Sequence, residues 1–276
     1  IRYAIQTLPP FLMAGSRFVV AGAILTVWAR ASGVVRPTRA QVHSACVVGA
    51  LLVLGGNGGV VWAEQYVPSG VAALLVATEP LWIVMLGWAL RGGRRPTAGV
   101  VAGLLVGFAG VWVLVGSGAS AGVGGARGLA AAVVVICASV SWAVGSLYSA
   151  RAPLPGSPLL SAGIQMLAGG ALLFAAGTLS GEWKAFNPGA VSAASAGALL
   201  YLILCGSLVA FTAYGWLLRV VAPARAATYA YVNPLVAVFL GWAVAGEELT
   251  ARTLVAAAVI TASVVIIVTR RPVVET

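Results

Sequence analysis

Apolar residues run in long uninterrupted blocks along this chain, and polar residues gather in the short stretches between them. Each block is about the 20 residues that a helix needs to cross a bilayer. None alternates with the two-residue period of a barrel strand; the stretch from Gly70 to Leu90 is apolar almost throughout. A backbone in lipid must satisfy its own hydrogen bonds, so blocks of this kind read as helices. The pattern predicts nine complete spans, over roughly 9–29, 43–63, 69–90, 97–116, 128–149, 158–179, 194–218, 224–245 and 252–269.

Composition agrees with that reading. Of 276 residues, 61% are hydrophobic and 8% charged, too few to coat a soluble domain. The net charge of +10 would suit nucleic acid, but no basic patch interleaves with aromatics, so nucleic acid is excluded as a partner and the bilayer takes its place. The charges sort by loop instead. One set of loops holds Arg30, Arg36, Arg39, Arg91, Arg94, Arg95, Arg151, Arg219, Arg225, Arg270 and Arg271; the alternate set holds Glu64, Glu182, Glu247 and Glu248. Positive residues stay inside, which predicts arginine-rich loops and a C-terminus in the cytoplasm of a bacterial-type inner membrane. Cys46, Cys137 and Cys205 each fall within an apolar block without metal-type spacing and are expected to be small packing residues.

The chain also repeats itself. Residues 80–89, Pro-Leu-Trp-Ile-Val-Met-Leu-Gly-Trp-Ala, match 234–243, Pro-Leu-Val-Ala-Val-Phe-Leu-Gly-Trp-Ala, at seven of ten positions, and Trp62 falls on Trp216 at the same offset of 154. The loop after the first copy, Arg91-Gly92-Gly93-Arg94-Arg95, is basic, while Glu247-Glu248 follows the second. Equivalent loops of opposite charge belong on opposite sides of the membrane, so the expected fold is all-α with two inverted-topology repeats. The first occupies 1–118, the second 128–271, and a Gly/Ser/Ala-rich loop over 119–127 joins them. Aligning Pro9-Pro10-Phe11 with Ser157-Pro158-Leu159 sets Arg17 on Gln165 and leads us to expect one further helix upstream of Ile1.

Few side chains in the spans can carry chemistry. Glu79 is the only acid deep within a block, and burying a charge there costs enough that it normally faces a cavity or a partner. Pro80 follows it and cannot donate to the carbonyl of Val76; Asn233-Pro234 stands at the matching place in the second half. Paired helix interruptions in two inverted halves point to a transporter's central site; the alternative, which we rank second, is that both prolines only kink their helices and Glu79 sits in a structural ion pair. Arg17 could attract an anionic substrate, pair with Glu79 or reach back to the headgroups. Tyr229 shares a helix face with Asn233 while Tyr231 points away, and Trp82 lies near Glu79 by the same spacing. Ser139, Trp142 and Ser146 share one face of their span, and Asn57 is set among Gly55, Gly56, Gly58 and Gly59. Each of these has an ordinary packing explanation alone. Gly99, Gly103 and Gly107, matched by Thr253, Ala257 and Thr261, form a small-residue stripe suited to packing within the chain or to a homodimer.

Enzyme signatures fail on context. Gly118-Ala119-Ser120-Ala121-Gly122 fits GxSxG, but it lies in a loop and the sole histidine, His43, is near the opposite membrane face. Lys184 is the only lysine and no phosphate-binding loop is present. No enzyme activity, metal or cofactor is expected.

Three further segments, read together, give a family resemblance: Leu8-Pro9-Pro10 with Ala14-Gly15-Ser16-Arg17-Phe18, Gly56-Asn57-Gly58 with Ala63-Glu64, and Thr228-Tyr229-Ala230-Tyr231-Val232-Asn233-Pro234. With the duplicated layout, they make the chain resemble the EamA family of the drug/metabolite transporter superfamily, and within it the YedA-type exporters. The resemblance implies a bundle of ten helices in two inverted five-helix repeats, and export of metabolites, amino acids or drug-like compounds by alternating access around a central cavity. A proton-coupled secondary transporter of a small-molecule substrate is therefore the leading expectation, with Glu79 the protonatable group and Arg17, Asn233, Tyr229, Trp82, Gln165, Trp142 and Asn57 around the substrate. A passive facilitator and a non-transporting scaffold are the alternatives.

Overall fold

The structure is a computed structural model of the chain and describes residues 1, 3–67, 69–89, 96–119, 125–233, 236 and 251–269. Its described residues are helical apart from turns and connecting loops. In chain order the principal helices are α1 (Pro10–Ala31), α2 (Arg39–Ala63), α3 (Ser69–Val76), α4 (Glu79–Ala89), α5 (Ala98–Ala119), α6 (Gly125–Ser149), α7 (Pro158–Leu179), α8 (Ala193–Val220) and α9 (Ala251–Thr269). Among the described residues, α1, α2, α6, α7 and α8 are long and apolar enough to cross a membrane, and α5 and α9 carry further apolar stretches.

Helix starts follow from local chemistry. Pro10 and Pro158 occupy first-turn positions, where a missing N–H costs nothing. Thr38 and Gln41 cap α2 reciprocally, each side chain accepting from the other's backbone N–H at 3.3 and 2.9 Å. The start of α1 is capped from far along the chain. The Glu182 carboxylate accepts the N–H groups of Phe11 at 3.1 Å and Leu12 at 2.9 Å, placing an anion where the helix dipole favours one.

Two departures from the expected spans concern the helices near the site. The block over 69–90 is not one helix: α3 stops at Val76, the backbone turns through Ala77 and Thr78, and α4 begins at Glu79. Pro80 has no N–H for the Val76 carbonyl, and the first bonds across the break run from Leu81 and Trp82 back to the Thr78 carbonyl, at 3.0 and 3.3 Å. In the second half, a turn at Ala227 and Thr228 precedes a helical stretch over 229–233. That turn lies upstream of the expected Asn233-Pro234 interruption, and Pro234 itself is outside the described residues, as are Glu247, Glu248, Arg270 and Arg271. Cys137 and Cys205 are exposed on α6 and α8 rather than packed inside, and Cys46 is half-buried.

The most extensive helix pair is α1 with α7, and glycines set its closeness. A Cβ at Gly15 would stand 3.2 Å from the Gly170 carbonyl oxygen, and one at Gly170 would stand 3.2 Å from that of Gly15. Gly22 and Gly163 repeat the arrangement, with corresponding distances of 2.8 and 3.1 Å. Bare backbones therefore touch at both ends of the crossing, as small residues allow in membrane helices. Another close pair, α5 with α9, closes around Gly107 and Gly110, which face Ser263, Tyr231 and Ile260. The glycine stripe thus packs inside the chain at Gly107. On the α9 side Ala256, Ile260 and Ser263 are buried, while Thr261 of the expected stripe is exposed.

Both α2 and α8 widen into π-helical winding in their middle thirds, over Ala50–Gly58 and Leu202–Phe211. Such winding is uncommon and concentrates at functional sites. Along α2 it coincides with a glycine run that lets α6 close in, Gly55 against Ser141, Gly56 against Trp142 and Gly59 against Ala138.

Candidate functional site

A cavity of about 610 Å³ opens among α1, α2, α3, α4, α6, α8 and the 229–233 helix. Both π-wound segments face it, through Gly56 and Asn57 on one side and Gly206, Ala210 and Phe211 on the other. Its walls are chiefly apolar and aromatic with a few polar groups, the ordinary make-up of a small-molecule site.

Glu79 sits on this cavity at the first turn of α4 and is only 2% exposed. The break at Ala77–Thr78 places it at a helix start instead of mid-helix. Tyr229 donates its hydroxyl to Glu79 Oε2 at 2.9 Å, whereas Oε1 meets no hydrogen-bond partner among the described residues. Tyr214 packs its ring edge-on against Tyr229 at 5.1 Å, and its hydroxyl lies 2.7 Å from Ser146 Oγ. Trp142 completes the aromatic wall, 5.4 Å from the Tyr214 ring and 6.3 Å from that of Phe211. Its indole N–H is buried and meets no acceptor at hydrogen-bond geometry among the described residues.

Arg17 enters the same cavity from α1 and is 6% exposed. Burial removes the expectation that it reaches back to the headgroups. It does not pair with Glu79 either: its Nε donates to Ser207 Oγ at 2.7 Å, and its guanidinium lies 4.5 Å from the Phe18 ring centroid. The absence of a side chain at Gly206 makes room for it, since a Cβ there would stand 3.0 Å from Nη2. Two oppositely charged residue types thus share one cavity, each held by a neutral hydroxyl.

Of the remaining sequence-predicted residues, Asn57, Trp142, Tyr229 and Asn233 line the cavity together with Ser139. The Asn57 amide points back to the Leu52 carbonyl at 3.4 Å. Trp82 does not reach the cavity; its indole nitrogen donates to Thr78 Oγ1 at 3.1 Å, across the helix break. Gln165 is buried elsewhere, donating to Ser161 at 3.0 Å beside Gly49. Tyr231 points away as its spacing predicts and donates to the Leu104 carbonyl at 3.2 Å. Sequence reasoning missed Ser207, Phe211, Tyr214 and Trp216 as lining or supporting residues. Ser207, Phe211 and Tyr214 recur at helical spacing along α8, a weak signal that only the facing helix makes meaningful.

A largely buried carboxyl and guanidinium around an aromatic-walled cavity, within a bundle of membrane-spanning length, define a polytopic membrane protein with an internal cavity. Family comparison gives the particular kind. The EamA-like transporter family matches residues 1–116 and again 129–269, and the chain belongs to that family. It is a transporter of small molecules and not an enzyme. The chain is 38% identical over 268 residues to the uncharacterized inner membrane transporter YedA of Escherichia coli K12, an alignment covering 97% of this chain and 84% of YedA. It is 30% identical to a probable terminal-alkyne amino-acid exporter of Streptantibioticus cattleyicolor, over 84% of this chain and 75% of that protein. A solved crystal structure at 23% identity shares the fold, with a TM-score of 0.75 over 97% of this chain and 91% of the other.

Proposed function

We propose that this chain is a secondary transporter that exports small metabolites, amino acids or drug-like compounds across the bacterial inner membrane, by alternating access and coupled to protons through Glu79. The observation that carries the reading is the Glu79 carboxyl itself, buried at the cavity wall with one oxygen bound by Tyr229 and the other bare. A carboxyl in that position can be neutral and dry in one state and ionised against a ligand or water in another, which is what coupling requires. Arg17 supplies the complementary charge, so a substrate bearing both a carboxylate and an ammonium group suits the cavity. The probable terminal-alkyne amino-acid exporter among the relatives is consistent with that class.

Two inverted repeats, over 1–118 and 128–271, give this site its two-sided access. The reciprocal glycine contacts of α1 and α7, the π-wound segments in α2 and α8, and the twofold family match support that arrangement. The arginine-rich loops and the C-terminus then lie in the cytoplasm. The test is flux in proteoliposomes holding the full-length protein, with a panel of radiolabelled amino acids and an imposed pH gradient. Glu79→Gln abolishes the gradient-driven component; unchanged gradient-driven flux rejects Glu79 as the coupling group.

A further inference from the structure

The hydroxyls around Glu79 can be counted hydrogen by hydrogen. Ser146 has a single hydroxyl hydrogen, and its Oγ lies 2.7 Å from the Trp142 carbonyl oxygen, which can only accept. That hydrogen is therefore committed to the backbone. The contact of 2.7 Å between Ser146 Oγ and the Tyr214 hydroxyl must then be donated by Tyr214. With its own hydrogen directed to Ser146, Tyr214 keeps its lone pairs free in the cavity it shares with Glu79, its ring edge-on against Tyr229, which binds that carboxyl. Tyr229 already serves Oε2, and Oε1 has no donor among the described residues. This pattern leaves the Tyr214 oxygen available to accept from a protonated Glu79. For an ionised Glu79 it lacks a donor.

We propose that Tyr214 is a positioning residue for the coupling carboxyl, turning its single hydroxyl hydrogen between Ser146 and Glu79 as Glu79 gains and loses its proton. When Glu79 is protonated, Tyr214 donates to Ser146 and accepts from Glu79. When Glu79 releases its proton to water in the cavity, Tyr214 rotates its O–H onto Oε1, and Ser146 keeps its bond to the Trp142 carbonyl. No other proton changes hands. Among the described residues, the other charged and titratable groups near this carboxyl or in its cavity are Tyr229, bound to Oε2, Tyr231, bound to the Leu104 carbonyl, and Arg17 on α1, bound to Ser207. The inference rests on Glu79 being the coupling group, but its test does not need transport.

The experiment is infrared difference spectroscopy of the reconstituted full-length protein across a pH series, following the carboxylic acid band that Glu79→Gln removes. Tyr214→Phe takes away the donor to the ionised form, and the band persists to higher pH by about one unit. Ser146→Ala frees the Tyr214 hydrogen for Glu79, and the band disappears at lower pH; Ser146→Thr restores the wild-type profile. The double variant follows Tyr214→Phe alone. Opposite displacements are the signature, because general loosening of the site would move both variants the same way. A band that stays put in both, or moves together in both, overturns the assignment of Tyr214. If those displacements appear while Glu79→Gln keeps gradient-driven flux, the coupling reading fails and the hydroxyl switch stands.

Discussion

Tyr229 reaches Glu79 across the cavity wall, hydroxyl to Oε2 at 2.9 Å, and it is the one donor recorded for that carboxyl among the described residues. Removing it takes the partner from a buried carboxyl oxygen, Oε2, which costs about 1–3 kcal/mol. Tyr229→Phe is expected to lower thermal stability in detergent by that amount, whereas Glu79→Gln keeps an acceptor for Tyr229 and melts close to wild type. The order of the two melting temperatures checks the relationship, and the reverse order would contradict it.

Arg17 and Ser207 form the second polar anchor of the cavity. Arg17→Lys keeps the charge but loses the Nε donor and the planar fork that can grip a carboxylate with two nitrogens. For a substrate held by its carboxylate, the apparent KM in the proteoliposome assay is expected to rise about tenfold or more, consistent with a loss of about 1.4 kcal/mol. Ser207→Ala should give a smaller rise in the same direction. An unchanged KM in both variants would show that the carboxylate is bound elsewhere.

The α1–α7 crossing gives a steric prediction with an internal control. A Cβ at Gly22 would come within 2.8 Å of both the Gly163 carbonyl oxygen and the Leu167 amide nitrogen. Backbone cannot step aside as a side chain can, so Gly22→Leu is expected to abolish folded protein in size-exclusion chromatography. Gly197, within α8, meets nothing within 4 Å. Gly197→Ala is expected to fold normally and gain up to about 1 kcal/mol from helix propensity.

Glu182 tests the long-range cap. Glu182→Ala removes an anion and two acceptors from the start of α1, a loss of about 1–2 kcal/mol. Glu182→Gln retains one oxygen acceptor and should recover part of it. Thermal unfolding of both variants decides the point; equal melting temperatures for wild type and Glu182→Ala would remove the cap from the account.

How much of this was legible beforehand depends on which interactions are local. The ends of α1, α6, α7 and α9 fall within a few residues of the expected bounds, because a helix in lipid must begin and end where the apolar block does. Glu79 and Arg17 stood out because charge is scarce in the spans, and both reach the cavity. Trp82 and Gln165 were misplaced because spacing along one helix fixes a face but not the neighbour it turns toward; one faces Thr78 and the other Ser161. Tyr214 and Ser207 gained meaning only once α6, α8 and α1 were set against each other, whereas Ser146 stood out on its helix face but without its partner. The break at Ala77–Thr78 was half visible, since Pro80 announced a lost hydrogen bond but not that the chain would divide before Glu79.

The bare contacts between α1 and α7 bind the fates of distant codons. Whether Gly22 can change is decided by Gly163 and Leu167, and whether Gly170 can change is decided by Val19 and Gly15. Drift at this crossing must then proceed by matched exchanges, so in a set of related chains these glycines should covary as pairs, with the Gly15–Gly170 pair varying independently of the Gly22–Gly163 pair.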